Sequence, residues 1–180
     1  MKLSLVLGLV LARSIAGHLV SRNFPGYGFW WYDPNCAFSC HDAISAAMLN
    51  CTNMGDMGHM GPTSPQCYAT DTAYLTTLAY CMKTHCDDDD VPTYKREDFW
   101  ATKFTGDPDV MPMWDYATSL AMVKKPPTIE YNSTAGVLNQ TMLVSQEDYD
   151  IQHKFNIIFM DMETLQAKYW YACTVCVFNI

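Results

Sequence analysis

Outside the cysteines, the side chains best suited to chemistry lie in one short segment, residues 54–60. Its sequence, MGDMGHM, places Met54, Met57 and Met60 at steps of three, with His59 beside them. Thioether sulfurs and an imidazole are soft ligands that suit Cu(I), and the glycines between them give the backbone freedom to wrap around an ion. The segment is therefore a candidate copper site. The competing interpretation is a methionine-rich loop that covers a helical core.

Four consecutive aspartates occupy residues 87–90. Carboxylate oxygens suit hard cations such as Fe(III) or Ca²⁺. Four adjacent carboxylates cannot all face one ion, however, so this run is interpreted as a solvated acidic loop.

Cys173 and Cys176 have the C-x-x-C spacing of redox dithiols and of half a zinc site. No second C-x-x-C accompanies them in the sequence. We interpret the spacing as incidental.

The N-terminal residues 1–17 have the layout of a secretory signal. Lys2 precedes an apolar run over residues 3–12, and the small residues Ala16 and Gly17 stand before His18. Such a segment is cleaved, and it is too short to span a bilayer. The mature chain is therefore expected to meet an oxidising compartment.

Six further cysteines are spaced C-x3-C-x10-C-x15-C-x13-C-x4-C, and they are Cys36, Cys40, Cys51, Cys67, Cys81 and Cys86. In an oxidising compartment, an even and clustered set is typical of a disulfide framework, whereas zinc ligands more often come as two C-x-x-C pairs. We expect three bridges among these six residues. The spacing does not choose between the many pairings that are possible.

The charge balance narrows the range of partners. The chain has 19 acidic and 11 basic residues and a net charge of −8, which disfavours nucleic acid and anionic membrane surfaces. Copper or iron ions remain candidate partners. Three N-glycosylation sequons begin at Asn50, Asn132 and Asn139, and the last two are favoured because Asn50 adjoins a cysteine expected to be bridged.

Helical periodicity surrounds the cysteines. One predicted stripe runs from Cys36 to Cys51 through Cys40, Ile44 and Ala47. Asp71 is a good N-cap for a second helix, and its buried side would carry Leu75, Leu78, Cys81, Met82 and Cys86. Residues 52–66, which are rich in Gly, Met and Pro, predict a loop between the two helices.

The second half of the chain predicts shorter helices at residues 96–104 and 113–122, separated by a Gly-Asp-Pro turn. A longer helix should begin at Ser145, whose side chain can cap it together with Asp148. This helix would carry one apolar stripe, formed by Ile151, Phe155, Ile158, Met162, Leu165 and Tyr169.

An ordered set of segments resembles the extracellular N-terminal region of fungal ferric-chelate reductases, the ferric reductase-like transmembrane proteins. The resemblance covers residues 25–170 and rests on the six cysteines together with these segments: Gly26-Tyr27-Gly28, Leu49-x-Cys51, Thr63-Ser64-Pro65-x-Cys67, Leu78-Ala79-Tyr80-Cys81, Phe99-Trp100, Trp114-x-Tyr116 and Pro126-Pro127. It implies that the region faces outward. Its last helix would then lead into a first membrane span.

In that family, as the resemblance implies, the catalytic apparatus lies downstream and uses haem, FAD and NADPH. The five histidines of this chain are scattered, and the sequence contains no G-x-G-x-x-G. We therefore expect no cofactor and no catalytic residue in this chain, and no reductase activity of the chain alone.

These observations predict a mostly α fold, a small disulfide-stapled helical ectodomain with long loops. The expected organisation is a signal peptide at residues 1–17, a cysteine-rich extracellular domain at 18–168 and an apolar tail at 169–180, interpreted as the truncated start of a membrane span. The expected function is that of the outer domain of a ferric or cupric reductase, on the extracellular face of the plasma membrane. The alternative is a free secreted cysteine-rich protein that binds a metal or another ligand.

Overall fold

A computed structural model describes residues 32–52, 63–131 and 137–178. The chain divides into two units, and residues 32–157 make up the larger one. The smaller unit contains residues 158–178 of the last helix. The core, the disulfides and the candidate site described below all belong to the larger unit.

The described residues form six helices and no strand, with two isolated β-bridges that pair Met48 with Val137 and Glu130 with Leu143. In chain order the helices are α1 (Asn35–Ile44), α2 (Pro65–Thr70), α3 (Thr72–Asp88), α4 (Thr93–Thr102), α5 (Tyr116–Met122) and α6 (Gln146–Phe178).

The central element is α3. The carboxylate of Asp71 caps it by accepting a hydrogen bond from the amide of Tyr74 at 2.8 Å, as the sequence predicts. Its predicted buried side is also confirmed, because Leu75, Leu78, Cys81, Met82 and Cys86 are all buried. Helices α1, α2 and α5 pack against α3, so one helix organises most of the core.

Three disulfides join the six cysteines, and they are nested along the chain. Cys36–Cys86 and Cys40–Cys81 link α1 to α3, with sequence separations of 50 and 41. Cys51–Cys67 lies inside both and ties the chain after α1 to α2, with a separation of 16. The predicted fold class, a mostly α disulfide-stapled domain with long loops, is confirmed.

Helix α1 ends at Ile44, so the prediction that its stripe continues to Cys51 as helix is wrong. The carbonyl of Ser45, just after the helix, accepts a hydrogen bond from the Tyr68 hydroxyl at 2.6 Å. Because this carbonyl has a hydrogen-bond partner elsewhere in the fold, it does not need a partner within a helix. Tertiary contacts of this kind override local periodicity.

Helix α2 occupies the end of the segment that was predicted as loop. Ser64 caps it by accepting a hydrogen bond from the amide of Cys67 at 3.2 Å, and Pro65 stands at its first position. Proline is pre-organised there because its fixed φ suits the first turn. The serine cap and the proline thus form a start signal for a helix, although the Gly, Met and Pro content of residues 52–66 predicts a loop.

The next two helices differ from their predicted bounds in where they begin. Helix α4 begins at Thr93, after Pro92, instead of at Arg96, and it also ends at Thr102 instead of Phe104. Helix α5 begins at Tyr116 instead of Met113, because the preceding residue, Asp115, is its N-cap.

Helix α6 begins after Ser145, as predicted. The Ser145 hydroxyl donates to the Asp148 carboxylate at 2.8 Å and accepts from the Asp148 amide at 3.1 Å. Its buried positions in the larger unit include Tyr149 and Asn156, and the amide group of Asn156 donates to the Asp42 carboxylate at 3.2 Å.

The predicted apolar stripe of α6 is exposed. Its six side chains have exposed fractions between 42% and 72%. Within the larger unit the helix packs through its tyrosine and asparagine side instead. Among the described residues, no helix has the length and the apolar character needed to cross a membrane.

Candidate functional site

The candidate copper ligands Met54, Met57, His59 and Met60 lie outside the described residues, as does Asn132 of the second sequon. The side chains of Cys173 and Cys176 are likewise not described. Within the described ranges, no group of three or more His, Cys, Asp or Glu side chains is arranged to hold a metal ion. The copper site therefore stays a prediction.

The acidic run at residues 87–90 is exposed, and its first two members are the end of α3. Asp87 forms ion pairs with Lys83 and Arg96. The hydrogen bond from Lys83, and then that from Arg96, hold the pKa of the Asp87 carboxyl below its usual value. This carboxylate is therefore a surface ion-pair partner.

The two sequon asparagines that the structure describes, Asn50 and Asn139, are both exposed. Asn50 lies in a turn beside the Cys51–Cys67 bridge. The hydroxyl of Thr141, which completes the Asn139 sequon, is 2.7 Å from the Thr76 hydroxyl of α3. Both asparagine side chains are accessible in the folded chain.

A surface cavity lies between α4 and the start of α5. The indole N–H of Trp100 on α4 donates to the carbonyl of Trp114 at 2.8 Å, which fixes the loop before α5 against α4. The amide of Met113 donates to the carbonyl of Ala69 at 2.8 Å and ties the same loop to the end of α2. Two anchors on different helices thus hold one wall of the cavity.

The cavity has a volume of about 320 Å³. This is near the lower end of the range for small-molecule sites, which begins at roughly 300 Å³. Its lining combines apolar and aromatic side chains with two carboxylates, and the members that matter here are Glu97, Trp100, Met111, Trp114, Asp115 and Tyr116. Such a pocket can hold a small ligand with an apolar body and a few polar contacts.

The aromatic side chains form the inner part of the cavity. Trp100 and Tyr116 have exposed fractions of 2% and 5%, and their ring centroids are 5.6 Å apart with planes at 59°. Trp114 is half-buried. Burial raises the pKa of the Tyr116 phenol, and the positive charge of Arg96 partly offsets that effect. The tyrosine is therefore neutral at physiological pH.

The two carboxylates are exposed and lie on different elements, Glu97 on α4 and Asp115 before α5. Asp115 accepts a hydrogen bond from the Thr118 amide at 2.7 Å. Hydrogen bonds from the side chain and the amide of Thr118 lower the pKa of Asp115. Among the described residues, neither carboxylate forms an ion pair, so negative charge at the rim is not neutralised.

A second cluster lies where α3 meets α6. The rings of His85 and Tyr149 stack with centroids 3.6 Å apart and planes at 9°, and His153 stacks beyond Tyr149 at 5.4 Å. Burial lowers the pKa of His85, whereas the nearby carboxylates of Asp88, Asp89 and Asp150 raise it. Burial raises the pKa of Tyr149. The sequence pattern did not bring His85 to Tyr149 and His153, because α3 and α6 are far apart in the chain.

The cavity was also missed at the level of sequence. The three aromatic residues Trp100, Trp114 and Tyr116 belong to the segments that carry the family resemblance. Glu97 and Asp115 belong to no predicted site. One signal was present: an acidic residue stands three positions before Trp100 and another directly after Trp114. A carboxylate one helical turn from a tryptophan shares its face of the helix.

Comparisons with known proteins give no match: no family model, no curated protein and no solved structure is similar to this chain.

Proposed function

We propose that the chain is the extracellular outer domain of a ferric- or cupric-chelate reductase-like membrane protein. In such a parent, electrons would pass from NADPH through FAD and haem to Fe(III) or Cu(II) outside the cell. This chain would contribute the accessory outer domain and no catalytic group. The proposal rests on the ordered cysteine and aromatic segments of the sequence.

The observation that carries the proposal is the nested set of three disulfides, because it gives each cysteine of the resembling segments a partner from the same set. The segment Thr63-Ser64-Pro65-x-Cys67 also has a structural role. Its serine caps α2 and its proline starts the helix, which places Cys67 opposite Cys51. The cysteine-bearing segments of the resemblance thus build the stapled core, and this supports reading them as a unit.

The transcript that encodes the chain gives the most direct test. We expect the reading frame to continue from α6 into an apolar segment of about 20 residues that is followed by paired histidines. A mature transcript in which the codon for Ile180 is followed by a stop codon would contradict the proposal.

Activity of the isolated chain gives a second test. Purified from a secretory host, the chain should show no haem or flavin absorbance and should not reduce chelated Fe(III) with NADPH. Bridges in secreted domains resist reduction by ordinary cellular donors, so they offer no reversible electron carrier. Turnover that is lost on Cys173→Ser would make the chain an enzyme in its own right.

A second candidate function is supported by a different observation, the cavity between α4 and α5. A free secreted cysteine-rich protein that binds a small ligand would use the disulfides as its frame and the cavity as its site. The three disulfides fit an extracellular or secreted protein in either case. A transcript that ends as described above would favour this second function.

A further inference from the structure

We infer that the cavity between α4 and α5 binds a small free organic cation through its alkylammonium group. This inference deepens the second candidate function, on which it rests because both use the cavity. It is compatible with the first candidate function, since an accessory outer domain can also carry a ligand site. Three properties of the lining favour such a ligand: its rings, its charges and its size.

The rings of the lining suit a cation. Tryptophan and tyrosine faces attract an ammonium group that comes within about 6 Å of the ring centroid. The indole N–H of Trp100 already donates to the Trp114 carbonyl, so this side chain offers its ring instead of a free donor. Trp114 is half-buried and is the most accessible ring of the lining, whereas Trp100 and Tyr116, which are 2% and 5% exposed, lie deeper.

The charges of the lining favour a cation over an anion or a neutral polar ligand. Glu97 and Asp115 contribute negative charge, and the hydrogen bonds from Thr118 keep Asp115 ionised by lowering its pKa. The lining contains no basic and no amide side chain among the described residues. A sugar or a carboxylate ligand would therefore find few of the donors that it requires.

The charge of Arg96, which neighbours Glu97 in the chain, does not cancel this negative charge. The guanidinium of Arg96 lies over the Tyr116 ring, 5.9 Å from its centre, so one face of this ring already has a cation and the other rings of the lining are the ones left to a ligand. It is paired with Asp87, a carboxylate outside the lining. The pairing satisfies the charge of Arg96 and leaves the two rim carboxylates to a ligand.

The size of the cavity limits the ligand to a small molecule. A volume of about 320 Å³ holds a compact alkylammonium headgroup and a short tail. Met111 and the alanines of the lining provide apolar contacts for that tail. The affinity should be modest, because the carboxylates are exposed and their attraction is screened by salt.

Titration with three matched probes tests the inference. Binding is measured by calorimetry and by NMR of the tryptophan indole signals. Choline carries the cation, 3,3-dimethylbutan-1-ol is its neutral isostere, and phosphocholine adds the phosphate of a lipid headgroup. We expect choline to bind about tenfold more tightly than the neutral isostere, which lacks both the cation–π and the charge attraction. Phosphocholine should bind more weakly than choline, because the rim carboxylates repel phosphate.

A pair of variants locates the binding. Glu97→Gln with Asp115→Asn removes both charges, and asparagine remains a good N-cap for α5. We expect this double variant to lose about tenfold in choline affinity. The control, Asp109→Asn with Glu130→Gln, removes two exposed charges outside the lining and should leave the affinity within about twofold. Circular dichroism and thermal unfolding check that both variants remain folded.

Each outcome has a defined meaning. Equal binding of choline and its neutral isostere would overturn the cation assignment and would leave the cavity as an apolar ligand site. No binding of either probe would count against the ligand-binding function as well. Equal losses in the two double variants would show that overall charge, and not this site, attracts the cation. Phosphocholine binding as tightly as choline would overturn the assignment to a free cation.

Discussion

Helices α1 and α5 both pack on α3, and the two regions to which they belong are held in different ways. The stapled pair, α1 with α3, is joined by two disulfides whose four cysteines are all buried. The cavity region, residues 93–122, contains no cysteine. It is held by side-chain packing and by the hydrogen bond between Trp100 and the Trp114 carbonyl. The covalent frame and the candidate ligand site are therefore neighbouring but separate parts of one fold.

The two regions also differ in how well their polar groups are satisfied. Four buried side-chain atoms of the described residues make no hydrogen bond, and three of them belong to α4 or α5: Arg96 Nε, the Tyr116 hydroxyl and Ser119 Oγ. A buried polar atom without a partner costs stability. Regions of lower local stability are where ligand sites and moving parts tend to occur. The disulfides therefore stabilise the part of the fold beside the candidate site and not the site itself.

Breaking the covalent side should have the largest effect. Cys40→Ala with Cys81→Ala removes a fully buried bridge and should lower the free energy of unfolding by about 4 kcal/mol, through lost packing at two buried positions and through the lost restriction of the short loop that Cys36–Cys86 leaves. Urea denaturation measures the change. The matched control, Cys51→Ala with Cys67→Ala, removes a bridge with one exposed cysteine and should cost about 1 kcal/mol less. A larger loss in the control would contradict the comparison.

Weakening the non-covalent side should have an intermediate effect. Trp100→Phe removes the indole donor, leaves the Trp114 carbonyl without its partner and should cost about 2 kcal/mol. Hydrogen exchange should then accelerate first at the amides of residues 111–117. In the control, Trp114→Phe, the backbone acceptor remains, so the cost should stay below about 1 kcal/mol. Equal costs would mean that the hydrogen bond does not hold the loop.

The smallest expected effect sharpens the comparison at a third place, the His85–Tyr149 stack. Burial lowers the pKa of His85 in the folded chain, so the unfolded chain binds more protons between the two pKa values. The free energy of unfolding should therefore fall as the pH drops below about 6.5, the ordinary histidine value, and through the folded pKa. Above about pH 6.5, the contribution of neutral His85 to the free energy of unfolding is fully present.

His85→Phe keeps an aromatic ring against Tyr149 and removes the titrating group. Urea midpoints of this variant should depend less on pH than those of the wild type between about pH 5 and 7, the range in which an ordinary histidine titrates. Equal slopes for the two proteins would show that His85 does not cause the dependence.

The stapled pair was largely predictable from the sequence, because a local signal specifies it. Asp71 begins α3, and the spacing of Leu75, Leu78 and Met82 identifies its buried side. The end of α1 was not predictable, since its following carbonyl is satisfied by Tyr68, a residue 23 positions away. The choice of cysteine pairs also required the fold, because spacing alone leaves many pairings open.

The candidate site was predictable only in its parts. The turn at Gly106 has a φ of +77° that glycine tolerates without strain, and the sequence marked that turn. After this turn the chain returns and brings Trp114 against Trp100. That return depends on hydrogen bonds to α2 and α4. The resemblance singled out the aromatic residues, whereas the carboxylates that give the cavity its charge carried no helical or strand pattern.

The nesting of the disulfides has a consequence for biosynthesis. A chain that enters an oxidising compartment from its N-terminus exposes Cys67 first among the second partners, then Cys81 and finally Cys86. Native bridges can thus close from the innermost outward, in the order of translocation. Once Cys40–Cys81 has closed, Cys36 and Cys86 are separated by an effective loop of roughly ten residues, so the last closure carries a small entropic cost. For a chain that is translocated in this direction, the order of translocation and the order of the cysteines therefore favour the same pathway of oxidative maturation.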